Sequence, residues 1–275
     1  MLKCGITGAT GNLGKTFVKN YKQFKYIKFS GDITKKKDVN EWIKYNEFDL
    51  IIHFAALVPI SIVNRQYQKA LKTNYIGTKY LIDSIIKNQK KIGWFFFSST
   101  SHVYPFKLNP IKENHTVKPI SKYGKSKQLA EKYIINKLKK TKIKFCIGRI
   151  FSIFNNTGKD FFLKSLIKKL DITENKIVLK NINHYRDFLT TQEISKIIIK
   201  LSKKKYEGII NIGSGKKTNL KEVSRIFALK LKKKITFFDN DLTCSLSNNM
   251  KLKKLGFKFK KLNIRKQFDL VHYKK

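Results

Sequence analysis

Residues 121–133 read SKYGKSKQLAEKY, which puts a phenol, Tyr123, four positions before an amine, Lys127. On a helix that spacing sets both side chains on one face, one turn apart. A tyrosine ionises near about pH 10 and needs help to exchange a proton at neutral pH; a neighbouring ammonium supplies it by favouring the phenolate. The pair could therefore trade a proton with an alcohol. The plainer alternative is a helix N-terminus carrying solvated residues. Of the 60 basic residues five are arginine and the other 55 lysine, so a Tyr-x-x-x-Lys match by chance is easy to come by. What raises its weight is company. FFFSSTSHVYP (95–105) carries an apolar run into a cluster of hydroxyls, a source of groups to hold a reacting oxygen. GITGATGNLGKTF places Gly8, Gly11 and Gly14 after one apolar run and before a helical pattern. Small residues there let a backbone approach a pyrophosphate, and the helix start offers free N–H groups and partial positive charge. A tight turn that uses glycine for its backbone freedom is the competing reading. Asp32 lies 21 residues beyond Gly11, where an acid could meet an adenosine ribose or cap the helix beginning near Lys36; both stay open.

These residues need a scaffold that gathers distant segments. Apolar runs at 2–7, 26–31, 50–56, 93–99 and 144–151 alternate with longer helical patterns, including KALKTNYIGTKYLIDSIIKNQ and YGKSKQLAEKYIINKLKK. That alternation predicts an α/β fold, a doubly wound parallel sheet covered by helices on both faces. After about residue 152 the rhythm loosens. GKDFFLKSLIKKL and TNLKEVSRIFALKLKKK read as helices, and KIVLK, EGIINIG and KITFF as strands. The expected organisation is a dinucleotide-binding domain over 1–151, to which later segments may return, and a small α/β lobe, mainly for substrate, over 152–275.

A formal charge of +42 invites a nucleic-acid reading. Scarce arginine argues against it, because the guanidinium is the group suited to bidentate contact with phosphates and guanine edges. The lysines are also spread along the whole chain, as a solvated surface would have them. No apolar run reaches the roughly 18 residues of a membrane span. Cys4, Cys146 and Cys244 give neither a disulfide framework nor metal-ligand spacing. His53, His102, His115, His184 and His272 read as structural or solvent-facing, and no metal is expected. With no signal or transit segment in MLKCGITGATGNLG, a cytoplasmic protein is expected, without nucleic-acid or membrane partners.

Taken together, these stretches resemble the extended short-chain dehydrogenase/reductases that act on nucleotide-diphosphate sugars, nearly end to end. TGATGNLG is similar to that family's cofactor turn, DLIIHFAAL to its third-strand motif, TNYIGTKYLI to its asparagine-bearing helix. SSTSHVY and YGKSK are similar to its hydroxyl and Tyr–Lys motifs, and GRIFSIF and YRDFL to later segments. The resemblance implies a Rossmann-type sheet that binds NAD or NADP, which the sequence does not distinguish. It places Gly8, Thr10, Gly11, Asn12, Leu13 and Gly14 at the pyrophosphate turn, Asp32 and Ile33 near the adenine, and Ala55, Ala56, Asn74, Tyr123 and Lys127 along the cofactor. It implies hydride exchange at a sugar carbon, most often C4, with Tyr123 moving the hydroxyl proton and Lys127 lowering its pKa. Thr100 would hold the sugar oxygen, and Asn74 would support the site. Ser101 and Arg186 would meet the substrate, Arg186 at its pyrophosphate; structural pairing of Arg186 and Arg149 with Asp187 or Glu193 is the alternative. A homodimer, joined through the helices of Asn74 and Tyr123, is implied as well.

Three departures bear on the reaction. Dehydratases of the family follow the threonine with Asp–Glu, whereas here Ser101 and His102 follow. Pro105 and Ser152 replace a glycine and an asparagine near the substrate. Asp32 lies only 18 positions beyond Gly14, so the strand end that discriminates NAD from NADP is expected to be missing. The resulting expectation is a nucleotide-sugar 4-ketoreductase or 4-epimerase in surface polysaccharide biosynthesis. The alternative is a non-catalytic dinucleotide-binding regulator or scaffold of the same fold.

Overall fold

A computed structural model describes residues 1–58, 60–88, 91–154, 166, 170, 176–180, 182–238 and 241–272. The chain forms two units. Met1–Pro105, His115–Ile150 and Thr191–Ile210 make the first; Phe106–Asn114, Phe151–Thr190 and Asn211–Lys275 make the second.

The first unit runs β1 (Leu2–Thr7), α1 (Asn12–Asn20), β2 (Phe24–Lys28), α2 (Lys36–Lys44), β3 (Leu50–His53), α3 (Ile60–Arg65) and α4 (Tyr67–Leu71). A π-helical turn (Lys72–Ile76) leads into α5 (Gly77–Asn88), followed by β4 (Trp94–Thr100), a 3-10 turn (Ser101–Val103), α6 (Lys122–Leu138) and β5 (Lys144–Ile150). The sheet order is β2, β1, β3, β4, β5 and then the strand Gly208–Ile212. The pairs β1–β2, β1–β3, β3–β4 and β4–β5 are parallel.

Strand β4 shows why the apolar runs became strands buried on both faces. Phe95 and Phe97 point into a core shared with Ile43 of α2, Leu81 of α5 and Ile134 of α6. Between them, Phe96 packs edge-on against Phe54, which in turn meets Phe17 of α1. On that side the helix Thr191–Lys203 also packs with α1, Thr16 Oγ1 lying 3.2 Å from Thr191 Oγ1.

The chain leaves β1 for β2 on one side and then crosses to β3 on the other. Such a reversal opens a crevice at the carboxyl ends of the strands, where ligands bind in sheets of this kind. The Gly8–Gly14 turn leaves β1 at that point.

The second strand differs from the sequence expectation. It begins at Phe24 and ends at Lys28, paired with β1 from Leu2–Phe24 to Ile6–Lys28. Phe29 N–H still bonds Ile6 O at 2.9 Å before the chain turns at Gly31, where a Cβ would lie 2.8 Å from Asp38 Cβ. The strand thus starts two residues earlier than the apolar run YIKFSG, and only Phe29 and Ser30 separate it from Gly31.

In the second unit, the strand His184–Thr190 pairs with Lys217–Asn219, Thr243–Ser245 and Ser152–Phe154, while Lys176–Lys180 pairs with Lys234–Phe238. Phe154, Leu179, Phe188, Val223, Phe227 and Phe268 share its core. The helix expected over 158–170 lies almost wholly outside the described residues.

Candidate active site

The glycine turn is built by contact distances. Gly8 has φ +70, and a Cβ on it would lie 2.5 Å from Ala55 N, so the turn runs directly against the chain leaving β3. A Cβ on Gly14 would lie 2.2 Å from Gly8 O, so α1 closes onto the turn itself. Gly11 is different: it has φ −72, is exposed, and its Cβ would meet only Gly8 O, at 3.3 Å. Packing alone would admit a side chain at Gly11, yet its absence leaves the start of α1 open. No side chain caps that helix and its first turn has no acid. An uncapped, acid-free N-terminus behind a glycine is suited to a pyrophosphate, so these residues fit a dinucleotide. Thr10 is exposed and Asn12 half-buried on this turn, while Leu13 is buried under it. Ala55 and Ala56 are half-buried, and Ala55 N–H donates to Thr7 Oγ1 at 3.2 Å.

Asp32 is exposed, and Ile33, beside it, is buried against Gly77. The Asp32 Oδ1 accepts from Thr34 N at 2.9 Å and Thr34 Oγ1 at 2.8 Å, which holds the carboxyl below its usual range. It thus organises the turn ahead of α2, whose own N-cap, Lys35, makes no side-chain bond.

At the carboxyl end of β4, Thr100 Oγ1 accepts from His102 N at 3.2 Å, and the Thr100 hydroxyl favours the ionised form of the Tyr123 phenol. Ser101 is buried in the 3-10 turn. Ser121 caps α6, its Oγ accepting from Gly124 N at 3.0 Å. Gly124 lets the helix start press onto that turn, since a Cβ there would lie 2.1 Å from His102 O. Tyr123 is 8 % exposed, and the His102 ring packs edge-on to it at 6.0 Å. Lys127 is 1 % exposed with Nζ 4.0 Å from the centre of the Phe97 ring.

Among the chain's own groups, burial dominates the electrostatics of the pair. Burial raises the Tyr123 pKa, opposed by the Thr100 hydroxyl. Lys127 itself is pulled down to about 7 by burial, against the attraction of Glu131. The desolvation that brings phenol and amine together costs both charged forms more than the amine returns to the phenolate.

Asn74 sits in the π-helical turn, a distortion that often marks functional positions. Its carboxamide accepts from Leu57 N at 2.7 Å and donates to Leu57 O at 3.1 Å and Ser126 Oγ at 3.0 Å. Ser126 donates on to Tyr123 O at 2.8 Å, so one side chain ties the stretch after β3 to the start of α6.

Ser126 and Glu131 went unread in the sequence, and of the two roles left open for His53 the structure shows the structural one. His53, read as structural or solvent-facing, is fully buried between Thr7 Oγ1 at 2.6 Å and Thr78 Oγ1 at 2.8 Å. Ser126 carries the Asn74–Tyr123 link. Glu131, the one acid on α6, accepts from Ser99 Oγ and takes Arg149 Nε and Nη2 at 3.1 and 2.7 Å. A single carboxylate four positions beyond Lys127 on a lysine-rich helix was the available signal. Arg149 thus pairs with Glu131, a partner the sequence reading did not name, and its Nη1 donates to Tyr104 Oη at 2.6 Å.

Arg186 belongs to the second unit, in the strand His184–Thr190, and burial lowers its pKa. Its neighbour Asp187 is fully buried and accepts from the N–H groups and hydroxyls of Ser214 and Ser247, at 2.5–3.0 Å, and from Gly215 N at 3.0 Å. Among the described residues no three His, Cys, Asp or Glu side chains are grouped to hold a metal, and no helix is long and apolar enough to cross a membrane.

Comparison with known proteins shows the family and the fold. The family model for GDP-mannose 4,6 dehydratase matches residues 6–263. A putative UDP-glucose 4-epimerase of Methanocaldococcus jannaschii is 30 % identical over 203 residues, 68 % of this chain; the chain spans 62 % of that protein's length. GDP-6-deoxy-D-talose 4-dehydrogenase of Aggregatibacter actinomycetemcomitans is 27 % identical, over 78 % of this chain and 75 % of its own. The structure of RMD from Pseudomonas aeruginosa, complexed with NADPH, superposes with a TM-score of 0.87 at 18 % identity, covering 99 % of this chain and 98 % of that one. The chain belongs to the NAD-dependent epimerase/dehydratase family of extended short-chain dehydrogenase/reductases, which act on nucleotide sugars.

Proposed function

From that membership, we propose that this chain is an NAD(P)-dependent oxidoreductase that moves a hydride at a sugar carbon, C4 by preference, of a nucleotide-diphosphate sugar. It works as a ketoreductase or epimerase in surface polysaccharide biosynthesis. The observation that carries the reading is the buried Tyr123 at the start of α6, beside the Thr100 end of β4, in the same unit as the open glycine turn and one helical turn from Lys127.

A bound nicotinamide dinucleotide would supply the hydride donor or acceptor and, when oxidised, a positive ring that favours the phenolate. The chain's residues do the rest. The open start of α1, with Gly8, Thr10, Gly11, Asn12, Leu13 and Gly14, takes the pyrophosphate; Asp32 and Ile33 flank the adenine; Ala55 and Ala56 line the cofactor, and Asn74, buried, holds the following stretch in place through Leu57. Tyr123 gives or takes the proton of the sugar hydroxyl, and Thr100 holds that oxygen, with Ser101 beside it. Lys127 holds the cofactor ribose and, when protonated, adds its charge beside the phenol. In the second unit Arg186 is assigned to the substrate's pyrophosphate, because its planar fork matches phosphate oxygens. The protein works as a homodimer.

Reductase or epimerase chemistry is favoured over dehydration by His102. The position where a dehydrating acid is expected holds an imidazole whose Nδ1 lies 3.2 Å from Ser121 Oγ, within the cap of α6.

The test is turnover of 4-keto and 4-hydroxy sugar nucleotides by the purified protein with NADH and NADPH. Net oxidation of the reduced cofactor identifies a ketoreductase, and interconversion of C4 epimers without net oxidation an epimerase. Tyr123→Phe should lower kcat by about 10²–10⁴, the usual worth of a general acid–base group. Full activity in that variant would remove the assignment.

A further inference from the structure

We propose that Glu131 is a positioning residue: its carboxylate fixes the Ser99–Thr100 end of β4 against α6 and sets a buried negative charge one helical turn from Lys127, keeping the amine a cation beside Tyr123. The proposal rests on the functional reading above and extends it to a residue outside the Tyr–Lys pair.

Geometry carries it. Glu131 is 2 % exposed, on the same face of α6 as Lys127 by its four-residue spacing. Its Oε1 takes the Ser99 hydroxyl and Arg149 Nε, and its Oε2 takes Arg149 Nη2. Ser99 immediately precedes Thr100, and β5 supplies Arg149, so one carboxylate joins α6, β4 and β5 behind the reacting hydroxyls. A purely structural ion pair could lie anywhere in the core. This one lies a turn from an amine buried over the Phe97 ring.

The charge follows from the placement. Burial works against the Lys127 ammonium, and Glu131 is the group that opposes it. The titratable and charged groups around the amine are Tyr123 and Glu131 on its own helix and His53 on β3. Arg149 of β5 faces Glu131, and His102 of the 3-10 turn lies against Tyr123. His53 is neutral at physiological pH, held down to about 3, and so adds no compensating charge. Removing the Glu131 carboxylate while leaving Arg149 would turn the local balance wholly positive.

Glu131→Gln alone leaves the Arg149 guanidinium buried without its anion and is the variant most exposed to misfolding. Glu131→Gln/Arg149→Met removes both charges together, and Glu131→Asp keeps the carboxylate. The readout is the titration of Lys127 in the cofactor-free protein by 13Cε-lysine NMR. The Phe97 ring current should displace its signal from the other lysines, and Lys127→Met assigns it. The double variant should lower the Lys127 midpoint, by less than Glu131→Gln does because the departing Arg149 charge offsets part of the loss, with Glu131→Asp restoring most of it. The basic limb of the kcat profile should move in the same direction. A midpoint that is the same in wild type and double variant would overturn the proposal. The underlying reading fails separately, through Tyr123→Phe retaining turnover while the lysine titration still responds to Glu131.

Discussion

The Nε2 of His53 lies 2.8 Å from Thr78 Oγ1, and the single proton of that threonine is engaged by Asn74 O, also at 2.8 Å. The imidazole must therefore donate at Nε2 and accept the Thr7 hydroxyl at Nδ1, 2.6 Å away. With Ala55 N–H donating to Thr7, one neutral tautomer links the stretch after β3, the end of β1 and the helix of Asn74.

That arrangement predicts an acid-sensitive fold. His53 is pulled from 6.5 down to about 3, chiefly by burial and then by Lys127. Its contribution is complete above about pH 6.5, where folded and unfolded rings are both neutral. It is lost as pH falls towards about 3, because the unfolded ring takes a proton that the folded one refuses. In that window stability should fall by up to about 1.4 kcal/mol per pH unit from this group. Chemical denaturation of His53→Gln should show a shallower acid slope than wild type. Equal slopes would show that the ring charges in the folded state.

The glycine turn separates fold from ligand. Gly14→Ala drives a methyl into the Gly8 carbonyl, and Gly8→Ala adds left-handed strain, about 1–2 kcal/mol, to a clash with the Ala55 backbone. Both should lower thermal stability. Gly11→Ala meets only Gly8 O at 3.3 Å and should leave the melting temperature within a few degrees while weakening NADH or NADPH binding about tenfold or more. Binding followed by cofactor fluorescence checks this, and undiminished affinity would mean that the start of α1 does not meet the pyrophosphate.

In the second unit, Asp187→Asn replaces an all-acceptor group with one whose NH2 must face N–H and O–H donors. Leaving such buried groups unmatched costs about 1–3 kcal/mol each. The variant should unfold at lower denaturant concentration. Gly213 is bound to the same point, since a Cβ there would lie 2.6 Å from Asp187 Oδ2, so Gly213→Ala should act in the same direction.

Much of the first unit was legible because its strands are short and apolar throughout. LKCGIT, WFFFSST and KFCIGRI became β1, β4 and β5 within a residue of their apolar limits. YIKFSG was placed late, since exposed Lys25 and Lys28 hide a strand that β1 pairs through its backbone. The long helix through Asn74 was legible, but not its division into α4, a π-helical turn and α5. The side-chain bonds of Asn74 to Leu57 and Ser126, which go with that turn, have no local signature.

By itself the sequence determined the α/β alternation, the glycine turn and the Tyr123–Lys127 spacing, all local properties read within a few residues or from helical period. Tertiary structure alone decided that Arg149 answers Glu131, that His53 is neutral and doubly bonded, and that Tyr123 is harder to ionise than in water. Those outcomes depend on desolvation and on partners 18 to 46 positions away in the chain, and no pattern of residue types records either.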